Sequence, residues 1–504
     1  MGPICDKLGI EQGACLSDRL YKLANNAELN MTQQSTLGVD MGAIHVASIG
    51  QADDVALVSN DPHQLQGLLT LAIQYATDFH TEMVPEKTKL LCFTPRGQEL
   101  ETRYWELVSP ISMPGHTIPF SKEAEHVGIL RSTAVGNMAS IIARMSAHTR
   151  ALFSVLPAGL ARAHHGNSAA TLCVEKLYGL PVLLSGLAAL VLSDAELAAL
   201  DHHHKVQLER LQRLYPCTPA PVVYFLAGTL PASATLHLRQ LSLLGMIARL
   251  GPESILHRHA CHVLTNRIMF SSTNPSSQSW FLQVRGLCMR YSLPDPLYIL
   301  ANPPSKNEWK SASKSRITTY WAEHLRSHAA RLRSLHLFRA SHMSLTRPSP
   351  IWTSCGNSQY EVKKATVQAR MGSGRYRTCW FRRHFSGDES GTCRVPGCSG
   401  TTPGTLLHLA TGQCPGLTAA TAAATQHWIN FLYDNPLLLP LIQDYTRAKP
   451  VTFLAFLLNP STQPPVIALA QKVGRGVVDM LCHLTRTWLY ILHRDRLKKL
   501  DLWQ

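Results

Sequence analysis

Apolar residues near the start of the chain recur with two different periods. Leu16, Leu20, Leu23 and Ala27 fall on one helical face, just after a loop marked by Gly9 and Gly13. Two short apolar runs, residues 44–49 and 55–58, then flank Asp53 and Asp54, which predicts a strand, a turn and a second strand. Asn60, Asp61 and Pro62 give a cap and first-turn signal. Leu65, Leu68, Leu69, Ala72, Ile73, Ala76 and Phe79 follow as one helical stripe. Further strands are predicted at residues 90–93 and 126–130. From about 136 to 260 the pattern is helical and rich in Leu and Ala, interrupted at Pro157, Pro181 and around Pro216 to Pro221. A looser zone rich in Pro and Ser, including 274–279 and 301–307, reads as a linker, with basic helices from about 312 to 340. The expected class is α+β, in segments 1–135, 136–265, 266–345, 346–425 and 426–504. The last helix carries Arg486, Arg494, Arg496, Lys498 and Lys499, which predicts a cationic face.

Composition sharpens this picture in two places. The 504-residue chain has a formal charge of +15. Residues 300–399 hold 17 lysines and arginines against five acids, an excess of 12 in one fifth of the chain. That concentration points to a polyanionic partner, with nucleic acid leading. The 13 cysteines are scattered except between 393 and 414, which suggests free thiols and one metal site in a reducing compartment. Asp6 and Lys7 interrupt the start, so no signal peptide is expected. The most apolar run, 177–193, contains Gly179, Pro181 and Gly186 and falls short of a bilayer span, so it reads as a buried helical hairpin. An intracellular protein, in nucleus or cytoplasm and with no membrane partner, is the expectation.

Adjacent carboxylates at a tight turn project to one edge, where they repel unless a cation such as Mg²⁺ bridges them. A solvated turn is the alternative for Asp53 and Asp54. Their neighbours bear on the choice. Gly9-Ile10-Glu11-Gln12-Gly13, Ala52-Asp53-Asp54, Lys87-Thr88 and the stretch HVGIL at 126–130 stand in an order and spacing that resembles the reverse transcriptases of non-LTR (LINE-type) retrotransposons. The resemblance implies a partial antiparallel palm over 1–135, then a helical thumb-like region. It also implies RNA-directed DNA synthesis, with Asp53 and Asp54 as Mg²⁺ or Mn²⁺ ligands. Gln12, Gly13 and Lys87 would lie against template and nucleotide, and RNA and DNA, single-stranded or hybrid, would be the partners. Gln51, Glu11 and His126 depart from family usage. The family's first catalytic Asp motif and its fingers have no counterpart before Gly9. The expectation is therefore a retrotransposon-derived chain, truncated within the palm and inactive by itself. The alternative is a non-catalytic RNA- or DNA-binding protein.

Cys393, Cys398, His408 and Cys414 form a C-x4-C-x9-H-x5-C arrangement. A pair at each end suits a tetrahedral Cys₃His zinc site, and Pro396-Gly397 suits a knuckle turn that aims two sulfurs at one point. Three free thiols and a surface histidine are the plainer alternative. The same family carries such a motif, and His408-Leu409 and Cys414-Pro415 fit that resemblance. Just upstream, Arg375, Arg377, Arg382 and Arg383 interleave with Tyr376, Trp380, Phe381 and Phe385. Arginines bind phosphates while aromatics stack on unpaired bases; a helix whose aromatics face a core is the competing reading. The run His202-His203-His204 reads as a solvated helix face, because consecutive helical positions point apart.

Overall fold

The computed structural model describes residues 17–42, 44–51, 54–81, 83–93, 111–126, 129–133, 136–155, 168–269, 279–376, 378 and 391–500. It is mostly helical with small antiparallel sheets. Two compact units emerge. The first comprises Met1–Ala143, Ser185–Glu196 and Arg239–Lys310, and the second Arg144–Leu184, Leu197–Leu238 and Ser311–Gln504. No described helix is long and apolar enough to cross a membrane.

Among the described residues of the first unit, eight short strands pair as four separate antiparallel ladders. These are β1 (Val39–Met41) with β2 (Ile44–Val46), β3 (Ser48–Gln51) with β4 (Asp54–Leu57), β5 (Ser112–Met113) with β6 (His116–Thr117), and β7 (Glu123–His126) with β8 (Ile129–Ser132). The two apolar runs around the Asp-Asp pair thus do form hairpins. The helix Pro62–Asp78 also begins where the sequence signals it. Asp61 accepts a hydrogen bond from the His63 amide at 2.8 Å, and Pro62 opens the first turn. Its buried stripe sets Leu69 against Ile111, Met113 and Ile118. Gln66 both donates to the Ser112 carbonyl and accepts from the Ser112 amide, which satisfies part of an open strand edge. The strand expected at 90–93 is only an isolated bridge between Leu90 and Phe120. Pro119 lies beside that bridge and has no N–H to extend a ladder. The stretch expected as a strand at 126–130 instead spans the end of β7 and the start of β8. The zone rich in Pro and Ser contains the helices Trp280–Arg290 and Pro296–Ala301 and the start of the 26-residue Lys306–Arg331.

The second unit is organised around the last helix, Gly476–Lys499, which buries Leu481, Leu484, Trp488, Leu489 and Leu492. Trp428 and Trp488 pack with ring centroids 4.7 Å apart, and Trp428 Nε1 donates to the Leu484 carbonyl at 3.2 Å. The predicted cationic face is only partly formed: Lys498 is exposed and Arg494 and Lys499 are half-buried, but the other two cations are buried. Arg486 and Arg496 are only 2% and 5% exposed, because each guanidinium satisfies groups of neighbouring elements. Arg486 Nη2 donates to the Ser354 carbonyl at 2.8 Å, and Arg496 Nη1 donates to the Tyr376 hydroxyl at 3.3 Å. Gly228 ends the helix Ala220–Ala227 in the left-handed region at φ +62. A Cβ there would fall 1.9 Å from the Arg347 carbonyl. Gly228→Ala should therefore destabilise this unit by about 3 kcal/mol, combining left-handed strain with overpacking against backbone. An unchanged thermal midpoint would refute that local geometry.

The histidine run also departs from the expected solvated face. His202 is exposed, but His204 is fully buried and its Nε2 lies 3.4 Å from Glu175 Oε1. His148 Nε2 lies 2.9 Å from Glu175 Oε2, and its Nδ1 lies 3.0 Å from His203 Nε2. A buried carboxylate needs such partners. Burial pushes the Glu175 carboxyl up, but the hydrogen bonds and charges of His148 and His204 outweigh it and hold it at about 2. Burial, then the charge of His148, pushes His203 down to about 4. Between pH 6.5 and 4 the unfolded chain binds a proton at this histidine that the folded chain refuses, so stability falls as pH falls. Glu175 adds its own loss as pH drops from 4.5 towards 2. His203→Gln should flatten the thermal midpoint between pH 6.5 and 4 relative to the parent, whereas a parallel profile would show that His203 does not supply that slope.

Candidate metal centre

The centre is made by a turn, a one-and-a-half-turn helix and the entry to a longer helix. The Cys393 amide donates to the Thr402 carbonyl at 2.8 Å and the Gly404 amide to Gly391 at 2.8 Å, which ties the two arms of the knuckle together. Within it the Cys398 amide donates to the Val395 carbonyl at 3.0 Å. Pro396 and Gly397, with φ +86 at Gly397, fill the central positions of that turn, where only glycine is comfortable. His408 sits on the helix Leu406–Ala410, whose first turn is capped by the Thr405 hydroxyl accepting from the His408 amide at 3.2 Å. Cys414 then leads into the short turn Pro415–Leu417, where the Leu417 amide donates to its carbonyl at 2.9 Å.

These elements bring four ligand atoms to one point, all within 4.8 Å of one another. Cys393 Sγ and Cys414 Sγ are 3.7 Å apart, and Cys398 Sγ and His408 Nε2 are 3.5 Å apart. A disulfide would need about 2.05 Å. Tetrahedral coordination at about 2.3 Å to sulfur and 2.0 Å to nitrogen requires about 3.8 Å between sulfurs and 3.5 Å between sulfur and nitrogen. Both of these separations meet that requirement, so this set can hold a metal ion and is compatible with zinc. Cys393, His408 and Cys414 are buried, and Cys398 is half-buried. Burial raises the Cys393 thiol, and burial followed by the Cys393 charge raises Cys414 to about 12. Burial also lowers His408, which favours the neutral imidazole that a ligand requires. A divalent cation among the sulfurs reverses the thiol preference, because it stabilises the thiolates that burial disfavours.

The centre is continuous with the unit's core. Val395, Leu409, Ala410 and Leu417 belong to the same buried cluster as Trp428 and Trp488, and Trp488 Nε1 donates to the Ala410 carbonyl at 2.9 Å. Lys499 Nζ donates to the Gly416 carbonyl.

The other predicted site residues are placed more thinly. Asp54 starts β4, exposed and paired in register with Gln51; Asp53, Gln12 and Gly13 lie outside the described residues. Lys87 is exposed on the turn Pro85–Lys87. Among the described residues the cysteine–histidine set is the only group of three or more metal-ligating side chains whose ligand atoms all lie within 4.8 Å of one another. Arg377, Trp380, Arg382 and Arg383 also lie outside the described residues. Arg375 is half-buried and donates through Nε to the Cys217 carbonyl at 3.1 Å. Tyr376 faces the core and not a base, with its hydroxyl 2.6 Å from His493 Nδ1. The ten described cysteines are all free thiols. No protein-family model matches the chain, and no curated protein matches it.

Proposed function

We propose that this chain is a non-catalytic nucleic-acid-binding protein, derived from a non-LTR reverse transcriptase, whose binding region is held in shape by zinc. The observation that supports it most is the excess of 12 positive charges over residues 300–399, which run directly into the four-ligand centre. Cys393, Cys398, His408 and Cys414 fill four positions of a tetrahedral ion and leave none open for water or substrate, so the zinc is structural. Its contribution is to fix the knuckle and the helix Leu406–Ala410 on the core beneath them. The full chain should bind single-stranded RNA with an affinity that falls steeply with salt. Serine at Cys393 and Cys398 should weaken that binding by roughly tenfold, about 1.4 kcal/mol. Affinity untouched by both substitutions would remove the metal centre from the function.

A second reading keeps the polymerase activity itself, with Asp53 and Asp54 holding Mg²⁺ or Mn²⁺. It is supported by the antiparallel β3–β4 pairing, which sets Asp54 exposed at the start of a strand. Mg²⁺-dependent extension of a primed RNA template, abolished by Asp53→Ala, would establish it. Absence of extension alongside salt-dependent binding supports the first reading.

A further inference from the structure

Outside the metal centre, the second unit has a cavity of about 570 Å³ at the end of the helix Lys306–Arg331. That volume lies within the roughly 300–1,000 Å³ typical of ligand sites. Arg326, Arg331, Arg333 and Arg339 line it, over a floor that includes Leu335 and Phe338, and no acidic side chain among the described residues lines it. Two of the arginines are built in. Arg326 Nε donates to the Ala340 carbonyl at 3.2 Å and its Nη2 to Met343 at 3.3 Å, while Arg339 Nη1 donates to Gln463 Oε1 at 3.3 Å. Arg331 and Arg333 are exposed and form no ion pair or side-chain hydrogen bond among the described residues. Four guanidinium groups around one cavity repel one another, and an anion entering it relieves that repulsion. Guanidinium forks match phosphate oxygens two at a time.

A track leads to this cavity. Arg316, Tyr320, His324 and Arg331 follow at helical spacing on one exposed face, about 22 Å from end to end. The Tyr320 and His324 rings lie parallel, with an interplanar angle of 6° and centroids 6.3 Å apart. Flat rings flanked by guanidinium groups are a combination that holds an unpaired strand, phosphates on the cations and bases on the rings. An acidic peptide would use the arginines but gain little from the rings.

We propose that the Arg326–Arg331–Arg333–Arg339 cavity and the Arg316–Tyr320–His324 face form a single-stranded nucleic-acid site, with a backbone phosphate seated in the cavity. This rests on the nucleic-acid-binding reading above but moves the contact to residues that the arginine-rich stretch around Arg375 does not include. The test is a salt-titrated anisotropy measurement with the zinc-loaded full chain and labelled oligouridylate. Arg331→Glu with Arg333→Glu should weaken binding at least tenfold and reduce the salt slope by about 1.4, two phosphates' worth for a single strand. Tyr320→Ala should weaken binding roughly tenfold with the salt slope unchanged, because stacking releases no counterions. Lys472→Glu with Arg475→Glu makes the same change of charge at two exposed positions and should alter affinity less than about threefold. Equal loss in both double variants, or none in the first, overturns the site while leaving nucleic-acid binding intact. No binding by the parent chain overturns the underlying reading instead. Uridine monophosphate competing as well as the oligomer at equal phosphate, or phosphatidylserine vesicles binding where the oligomer does not, also overturns the strand site.

Discussion

Serine at Cys393 and Cys414 should lower the thermal midpoint of the second unit by about 7–20 °C. Structural zinc supplies roughly 10–16 kcal/mol of apparent binding energy in small modules. Whole domains are stable by only about 5–15 kcal/mol. Even if a third of the metal's contribution is transmitted, a shift of about 2–4 °C per kcal/mol gives that fall. Transmission is expected because Leu409, Ala410 and Leu417 share their core with Trp428 and Trp488. Trp488 also reports the event, since its indole N–H is bonded to the Ala410 carbonyl in the centre's own helix. Its fluorescence should move to the red in the variant and on chelation of the parent. Zinc should restore the chelated parent but not the variant. Binding must displace protons from thiols that burial raises, Cys414 to about 12, so metal affinity should weaken as pH falls. A variant melting within about 2 °C of the parent would mean that the four residues are packing side chains only.

Glu361→Ala should cost about 3–5 kcal/mol, the typical penalty for leaving a buried charge without its partner. Arg486 is 2% exposed, and its Nε lies 3.1 Å from Glu361 Oε2. Glu361 also faces His483 Nδ1 at 3.4 Å and Lys364 Nζ at 2.8 Å. The His483 hydrogen bond first, then Lys364 and the Arg486 charge, outweigh burial and hold the Glu361 carboxyl at about 2. That lowering is stability present above the unfolded value of 4.5 and lost as pH falls through the folded value. The parent should therefore lose stability from pH 4.5 towards 2 more steeply than Glu361→Ala does. Pairing Glu361→Leu with Arg486→Met should recover only part of the loss, since Arg486 is no longer stranded but the buried Lys364 has still lost its carboxylate partner. A single variant as stable as the parent would show that Arg486 finds enough compensation in the Ser354 carbonyl and hydroxyl.

What the sequence revealed and what it hid differ by the range of the interactions. The metal centre was legible because its four ligands lie within 22 consecutive residues, and Pro396-Gly397 announces the turn that converges them. The β3–β4 hairpin and the capped helix Pro62–Asp78 were legible for the same reason: period, cap and turn are all local. The buried charges were not. Arg486 looks like a surface cation on its helix until Glu361 and Ser354, more than 100 residues earlier, close over it. His204 sits in a polar run, and only Glu175 and His148 from other elements explain its burial. The arginine cavity needs the end of one long helix and two following short turns, Arg333–Leu335 and Ala340–His342, to become concave. Tyr376 shows the reverse error: an aromatic among arginines suggests stacking on bases, yet its hydroxyl is engaged by His493 and Arg496.

The stability and binding predictions rest on zinc being held by Cys393, Cys398, His408 and Cys414, as proposed above. X-ray absorption at the zinc edge, on full chain purified without added chelator, tests it most directly. One zinc per chain is expected, with three sulfurs at about 2.3 Å and one nitrogen at about 2.0 Å. Substoichiometric metal, or a first shell of oxygen and nitrogen without sulfur, would contradict it.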